Sequence, residues 1–232
     1  MAYTYSTLVA ALQIEAVQLS TDANWQGIIS TIIDQAESRC YRDLQLVNTI
    51  VRDTSGSLTA NSRNFTLPQL LGRFVTVKSL NVIVSSVRQP LRPVSIHFLD
   101  ATWPSETSAS TPSVPQYFAV VSDQVFAVGP SPDATYGMEV VGTIRPTPLS
   151  VSNPTTYLTS YLSDLFFAAC MSAVAGYQKD YGAQSDDPRS AMSWENQYAQ
   201  RLASANKEEA MRKLQSGDWL GEPRPAPQAA QG

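Results

Sequence analysis

Charge is scarce in this sequence. Asp, Glu, Lys and Arg make up 16% of its 232 residues, against roughly 25% in ordinary soluble domains. Its surface is therefore polar through Ser, Thr, Asn and Gln, which suits large contact areas against other subunits. The net charge is −4 and the pI about 5.0. A protein that reads DNA sequence would carry a basic patch, so that class is excluded. An acidic surface is one that DNA can slide past without sticking. There is one histidine, His97, and so no second imidazole for a metal site or a proton relay. No Gly-x-x-x-x-Gly-Lys-Ser/Thr loop, Gly-x-Gly-x-x-Gly turn or Gly-x-Ser-x-Gly elbow occurs. Among carboxylates, Asp186-Asp187 reads as a helix cap and Glu139 as the solvent side of a strand. No catalytic, cofactor-binding or metal-ligating set is expected, and no enzyme.

Cysteine is nearly absent too. The two present, Cys40 and Cys170, fall on apolar faces of predicted helices and read as small buried hydrophobes; a disulfide or a metal pair is the alternative. The opening Met-Ala-Tyr-Thr-Tyr-Ser has neither a basic region nor an apolar run, so no signal peptide is expected. The most apolar helix is interrupted by Ser160, Ser163, Asp164 and Ser172. It falls short of the ~20 apolar residues of a membrane span.

Apolar residues at helical spacing predict a first helix over residues 4–19 (Leu8, Val9, Leu12, Ala16, Leu19), capped by Thr4 or Ser6. A second runs over residues 23–43 (Trp25, Ile28, Ile29, Ile32, Ile33, Ala36, Cys40), with Asp22 or Asn24 as cap. Its far side carries Asp34, Glu37, Arg39, Arg42 and Asp43, read as a solvated or intersubunit salt-bridge face. Between Gln45 and Leu149 the period changes to two. Expected strands are 64–68, 74–84, 94–99, 116–121, 124–128 and 138–144. In the second, Val75 and Val77 are out of phase with Leu80, Val82 and Val84, which calls for a bulge near Lys78-Ser79. Residues 116–128 read as a hairpin turning at Ser122-Asp123. Residues 101–115 read as an exposed Ser/Thr/Pro loop.

Helical spacing resumes at Thr155. A third helix, opened by Asn153-Pro154 and running to Tyr181, is apolar almost all round, the mark of a central helix. Asp187-Pro188 signals the start of a fourth, with Ala191, Trp194, Tyr198, Leu202, Ala205 and Glu209 on one stripe. It reaches on the order of 40 Å. The expected class is α+β: a helical bundle from both chain ends (1–44 and 151–216), an inserted antiparallel β module (45–150) forming a small sandwich or barrel, and an extended arm (217–232). In that arm Pro223, Pro225 and Pro227 forbid helix and favour polyproline-like extension. Trp219 and Leu220 sit exposed at its root unless a partner covers them. Trp25 and Trp194 fall at core positions, whereas Trp103, followed by Pro104, either folds back on its own sheet or touches a neighbouring subunit.

Several strings, in order, carry a resemblance. Ile32-Ile-Asp-Gln-Ala-Glu-Ser-Arg-Cys-Tyr-Arg-Asp-Leu44 is similar to the second-helix signature of tailed-bacteriophage head-to-tail adaptor proteins. Val114-Pro-Gln-Tyr-Phe-Ala119 resembles a strand of that family. Val128-Gly-Pro-Ser-Pro-Asp-Ala-Thr-Tyr136 with Glu139, the exit Arg145-Pro-Thr-Pro-Leu-Ser150, and Trp194-Glu195 with Tyr198 and Leu202 resemble later segments. The match covers most of residues 1–215; the Ser/Thr/Pro loop and the proline-rich tail depart from the pattern. The resemblance implies a non-enzymatic virion component, made in the host cytoplasm. It implies a ring, usually of twelve copies, under the portal protein, extending the DNA channel and presenting a platform to a downstream tail or nozzle protein. Genomic double-stranded DNA would pass through without sequence-specific binding, and no membrane is involved. Portal docking would use the last helix with Trp219, Leu220, Pro223, Arg224, Pro225 and Pro227. Trp103 and Pro104 would meet the tail or a neighbouring subunit, and Glu37, Arg39 and Arg42 would form surface or intersubunit salt bridges. A tail-tube or stopper protein, or a carbohydrate-binding β domain, stays open as an alternative.

Overall fold

A computed structural model describes residues 2–18, 21–104, 112–178 and 190–218. The chain forms two compact units. One combines Met1–Val47 with Pro148–Gly232; the other is Asn48–Thr147.

The helical unit begins with α1, Tyr5–Glu15. Thr4 and Thr7 close a capping box, Thr7 N–H donating to Thr4 Oγ1 at 3.3 Å and Thr4 N–H to Thr7 Oγ1 at 2.8 Å. In α2, Ala23–Asp43, the Asp22 carboxylate accepts from the Asn24 and Trp25 amides, satisfying two donors that the first turn leaves orphaned. The expected stripe is the buried one: Trp25, Ile29, Ile32, Ile33, Ala36 and Cys40 lie in one core with Leu8 and Leu12 of α1.

The expected third helix is two helices. α4 spans Tyr157–Tyr161 and α5 spans Ser163–Tyr177, with Leu162 between them at φ −121° and ψ 38°. Its start also differs: Thr156, not Asn153-Pro154, is the cap residue, its N–H bonded to Thr159 Oγ1 at 2.9 Å. α5 is central, packed against α1, α2, α4 and α6. It buries Leu165, Phe166, Ala168, Ala169, Cys170, Met171 and Val174. α6 spans Ser190–Asp218. Its stripe is buried at Tyr198, Ala205 and Glu209, and Trp194 and Leu202 pack against the same core. Cys40 and Cys170 are buried and free.

Among its described residues the β unit holds two four-stranded sheets. β1 (Ile50–Leu58), β3 (Arg73–Val84), β4 (Val87–Pro90) and β8 (Tyr136–Arg145) form the first, in the order β1-β8-β3-β4. β2 (Asn64–Thr66), β5 (Arg92–Pro93), β6 (Tyr117–Val120) and β7 (Val125–Gly129) form the second, in the order β2-β7-β6-β5. The sheets are open and close into no barrel, and β5 pairs with β6 in parallel. One core takes Phe74, Leu80, Val82, Met138 and Val140 from the first sheet and Phe65, Phe126 and Val128 from the second. The phase slip in β3 is real: its register against β8 shifts between Val77 and Ser79, and earlier between Phe74 and Thr76. Where β3 bends, its backbone crosses Gly142 so closely that an added Cβ would lie 2.3 Å from the Thr76 carbonyl oxygen.

Two expectations fail here. Residues 94–99 are not a strand. Ser95 caps α3, Ile96–Thr102, accepting from the Phe98 amide at 3.2 Å. Ile96, Leu99 and Trp103, spaced three and four apart, face Ala119 and Ala127, a helical period hidden under a short alternation. His97 is exposed on this helix. Glu139 alternates as predicted with the inward Met138 and Val140, yet it is 0% exposed. Side chains from the three other strands of its sheet cover it: Asn81 Nδ2 donates at 2.9 Å, Arg88 Nε at 2.7 Å, and Arg52 Nε lies 3.6 Å away. Burial pushes its carboxyl up, but the hydrogen bonds from Arg88 and Asn81 and the charges of Arg52 and Arg88 together hold it below the usual range.

Candidate docking surfaces

α6 is fastened to the bundle at several places, among them Arg201, whose Nη1 donates to the Asp164 carbonyl of α5 at 3.1 Å; two clusters carry most of the polar contacts. At the first, Arg39 of α2 forms a two-pronged ion pair with Glu195, its Nη1 donating to Oε2 at 2.9 Å and its Nη2 to Oε1. The same guanidinium lies 4.0 Å over the Tyr198 ring, and its Nε is 3.6 Å from Asp43. Tyr198 donates its hydroxyl to Asp43 at 2.6 Å, and Ser172 of α5 donates to Glu195 at 2.8 Å. The hydrogen bond from Arg39 holds the Glu195 carboxyl below its usual range despite partial burial. At the second place Glu209, 2% exposed, accepts from the Val47 amide at 2.9 Å, Arg212 Nη1 at 2.8 Å and the Tyr157 hydroxyl at 3.4 Å. Arg212 also donates to the Tyr157 hydroxyl.

The predicted salt-bridge face is thus partly internal. Arg39 spends its charge within the chain, on Glu195 and Asp43. Glu37 is not on a solvated face: it is 3% exposed, and its Oε2 accepts the Leu149 amide at 2.8 Å. The heptad-like spacing that buries Ile33 and Cys40 carries Glu37 inward with them, where the re-entering chain supplies a donor. Arg42 is exposed and has no ion-pair partner among the described residues.

Beyond Glu209, α6 turns apolar residues outward: Met211 is 70% and Leu214 69% exposed. The expected docking residues Trp219, Leu220, Pro223, Arg224, Pro225 and Pro227 follow in sequence and lie outside the described residues, as do Asp186-Asp187 and Pro188.

In the β unit, Trp103 is half-buried on its own sheet. Its ring centroid lies 5.9 Å from that of Tyr117 and 6.3 Å from that of Phe98. The absence of a side chain at Gly129 makes room for it: a Cβ there would sit 2.8 Å from the indole Cε3. The buried Arg63 donates to the Trp103 carbonyl at 2.7 Å and to Asp100 at 3.1 Å. Pro104, next to it, is exposed. Sequence reading missed a groove of about 500 Å³ between β3 and the second sheet, lined by Phe74, Val75, Pro93, Phe118, Val120 and Phe126. Val75 and Val120 there are each 60% exposed.

Among the described residues no cluster of His, Cys, Asp and Glu could hold a metal ion, and no helix is long and apolar enough to cross a membrane. What these residues do present is a long helix fastened by ion pairs and exposed apolar surface on both units, the make-up of an α+β assembly component. No curated protein matches the chain. The sequence profile of the SU10 adaptor protein family matches residues 3–220, and the chain belongs to that family of phage head-to-tail adaptors. Its role is structural, within the virion.

Proposed function

We propose that copies of this chain form a ring, of twelve subunits, between the portal and the tail, and that α6 with residues 219–232 is the portal-docking arm. The observation that carries this is the course of α6. It is fixed to the bundle as far as Glu209 and Arg212, exposes Met211 and Leu214, and leads directly into Trp219-Leu220. Exposed apolar residues on a helix that continues into a proline-rich segment form a surface for a groove on another protein. Each arm is short, so its binding is weak alone. A ring presents many arms at once, and avidity raises the total without new contacts. The β unit, with Trp103, Pro104 and the rest of the 101–115 segment, faces the downstream tail protein or the neighbouring subunit. DNA passes through the lumen, and a chain of net charge −4 gives it little to bind.

A chain ending at residue 218 tests the arm. Co-sedimentation with portal rings is expected to fall at least tenfold relative to the full chain. Equal binding by both would remove the arm from the account.

A further inference from the structure

The chain passes between its two units twice, after Val47 and before Pro148. At each crossing a main-chain amide of the helical unit is held by a buried glutamate. Val47 N–H donates to Glu209 Oε2 at 2.9 Å, and Leu149 N–H to Glu37 Oε2 at 2.8 Å. Glu209 is 2% and Glu37 3% exposed. Carboxylate acceptors make such bonds stronger than neutral ones, and a buried amide that loses its acceptor is costly.

The two clamps differ in what carries them. Glu37 sits within α2, surrounded by the bundle core. Glu209 sits near the end of α6, and two further ties join that end to the bundle beside it. Arg212 bridges Glu209 and Tyr157, and Lys213 Nζ donates to Gln45 Oε1 at 3.2 Å, two residues before the crossing. We infer that the Glu209 cluster is a coupling device: the last turns of α6 and the first crossing into the β unit are seated or released together, while the second crossing is fixed. A helix end is the least stable part of a helix, so α6 transmits its state to Val47. The significance for docking rests on the arm reading above: a portal bound at the end of α6 would tighten the path into the β unit.

Hydrogen exchange on the free full-length protein tests the coupling without any portal. Met211→Gly with Leu214→Gly changes two exposed positions, touches neither crossing, and weakens the end of α6, since glycine is a poor helix former. Exchange of residues 209–214 and of the Val47 amide is expected to quicken together, each at least tenfold, with the Leu149 amide unchanged. Glu209→Gln acts from the other side and is expected to quicken both Val47 and residues 210–214. The inference is overturned if Val47 keeps its rate in the glycine variant, if Leu149 quickens with it, or if residues 210–214 are unaffected by Glu209→Gln. Loss of portal binding by the chain ending at 218 is a separate result; its absence would sink the arm and leave the coupling standing.

Discussion

Removing Arg39 should loosen α6, and the size of the effect can be worked out. Its pair with Glu195 is only partly shielded, at 32% and 49% side-chain exposure. Exposed pairs contribute about 0.2–1 kcal/mol, and two-pronged geometry favours the upper end, so the pair is set at about 1 kcal/mol. The guanidinium over Tyr198 adds roughly 0.5–1 kcal/mol. Arg39→Ala should therefore cost about 2 kcal/mol and Glu195→Ala about 1 kcal/mol, with a double-mutant coupling near 1 kcal/mol. Urea unfolding at pH 7 measures all three. At 1 M salt the coupling should fall to about half, because the screening length shrinks to ~3 Å. The pH dependence has a definite sign. Pairing with Arg39 holds the Glu195 carboxyl below its unfolded value, so the folded state binds fewer protons. The contribution is present above the unfolded pKa of about 4.3 and is lost as pH falls through the lower folded value. Equal coupling at pH 6 and 7 and a smaller one at pH 3 is expected. A coupling below ~0.3 kcal/mol at pH 7, inside ordinary additivity error, would mean that apolar packing alone seats this part of α6.

Two further outcomes follow from the cores. Burial pushes the Cys40 thiol up to about 12 and Cys170 well above its usual value, so neither should react with iodoacetamide at pH 8 until the protein is denatured; fast labelling of the native chain would contradict the packing. Gly142→Ala puts a methyl group against the Thr76 carbonyl and the Val77 Cα, and should destabilise the β unit by about 2 kcal/mol. An unchanged melt would show that the bends of β3 do not press on β8 as described.

Much of this fold was legible because its signals are local. Asp22 before Ala23, and the spacing of Trp25, Ile29, Ile32, Ile33 and Cys40, mark α2 without reference to the rest of the chain. The out-of-phase valines of β3 announced its bulge. Sequence reading failed where distant partners decide. Glu139 looks solvent-facing until Asn81, Arg52 and Arg88 arrive from other strands. Glu37 looks exposed until Leu149 brings it an amide 112 residues away. β1 was not delimited because Ile50–Leu58 is polar and bulged, with a register shift between Asp53 and Gly56. No proline or glycine marks the break at Leu162. Of the candidate site, the stripe of α6 and the self-packing of Trp103 could be anticipated. The groove beside β3 could not, since its walls meet only in three dimensions.

The most direct test is electron microscopy of portal rings mixed with the purified full-length protein. The account predicts a second, rotationally symmetric ring on the portal, with density running from α6 into the portal wall. Portals that stay bare, or protein that stacks into tubes by itself, would contradict it.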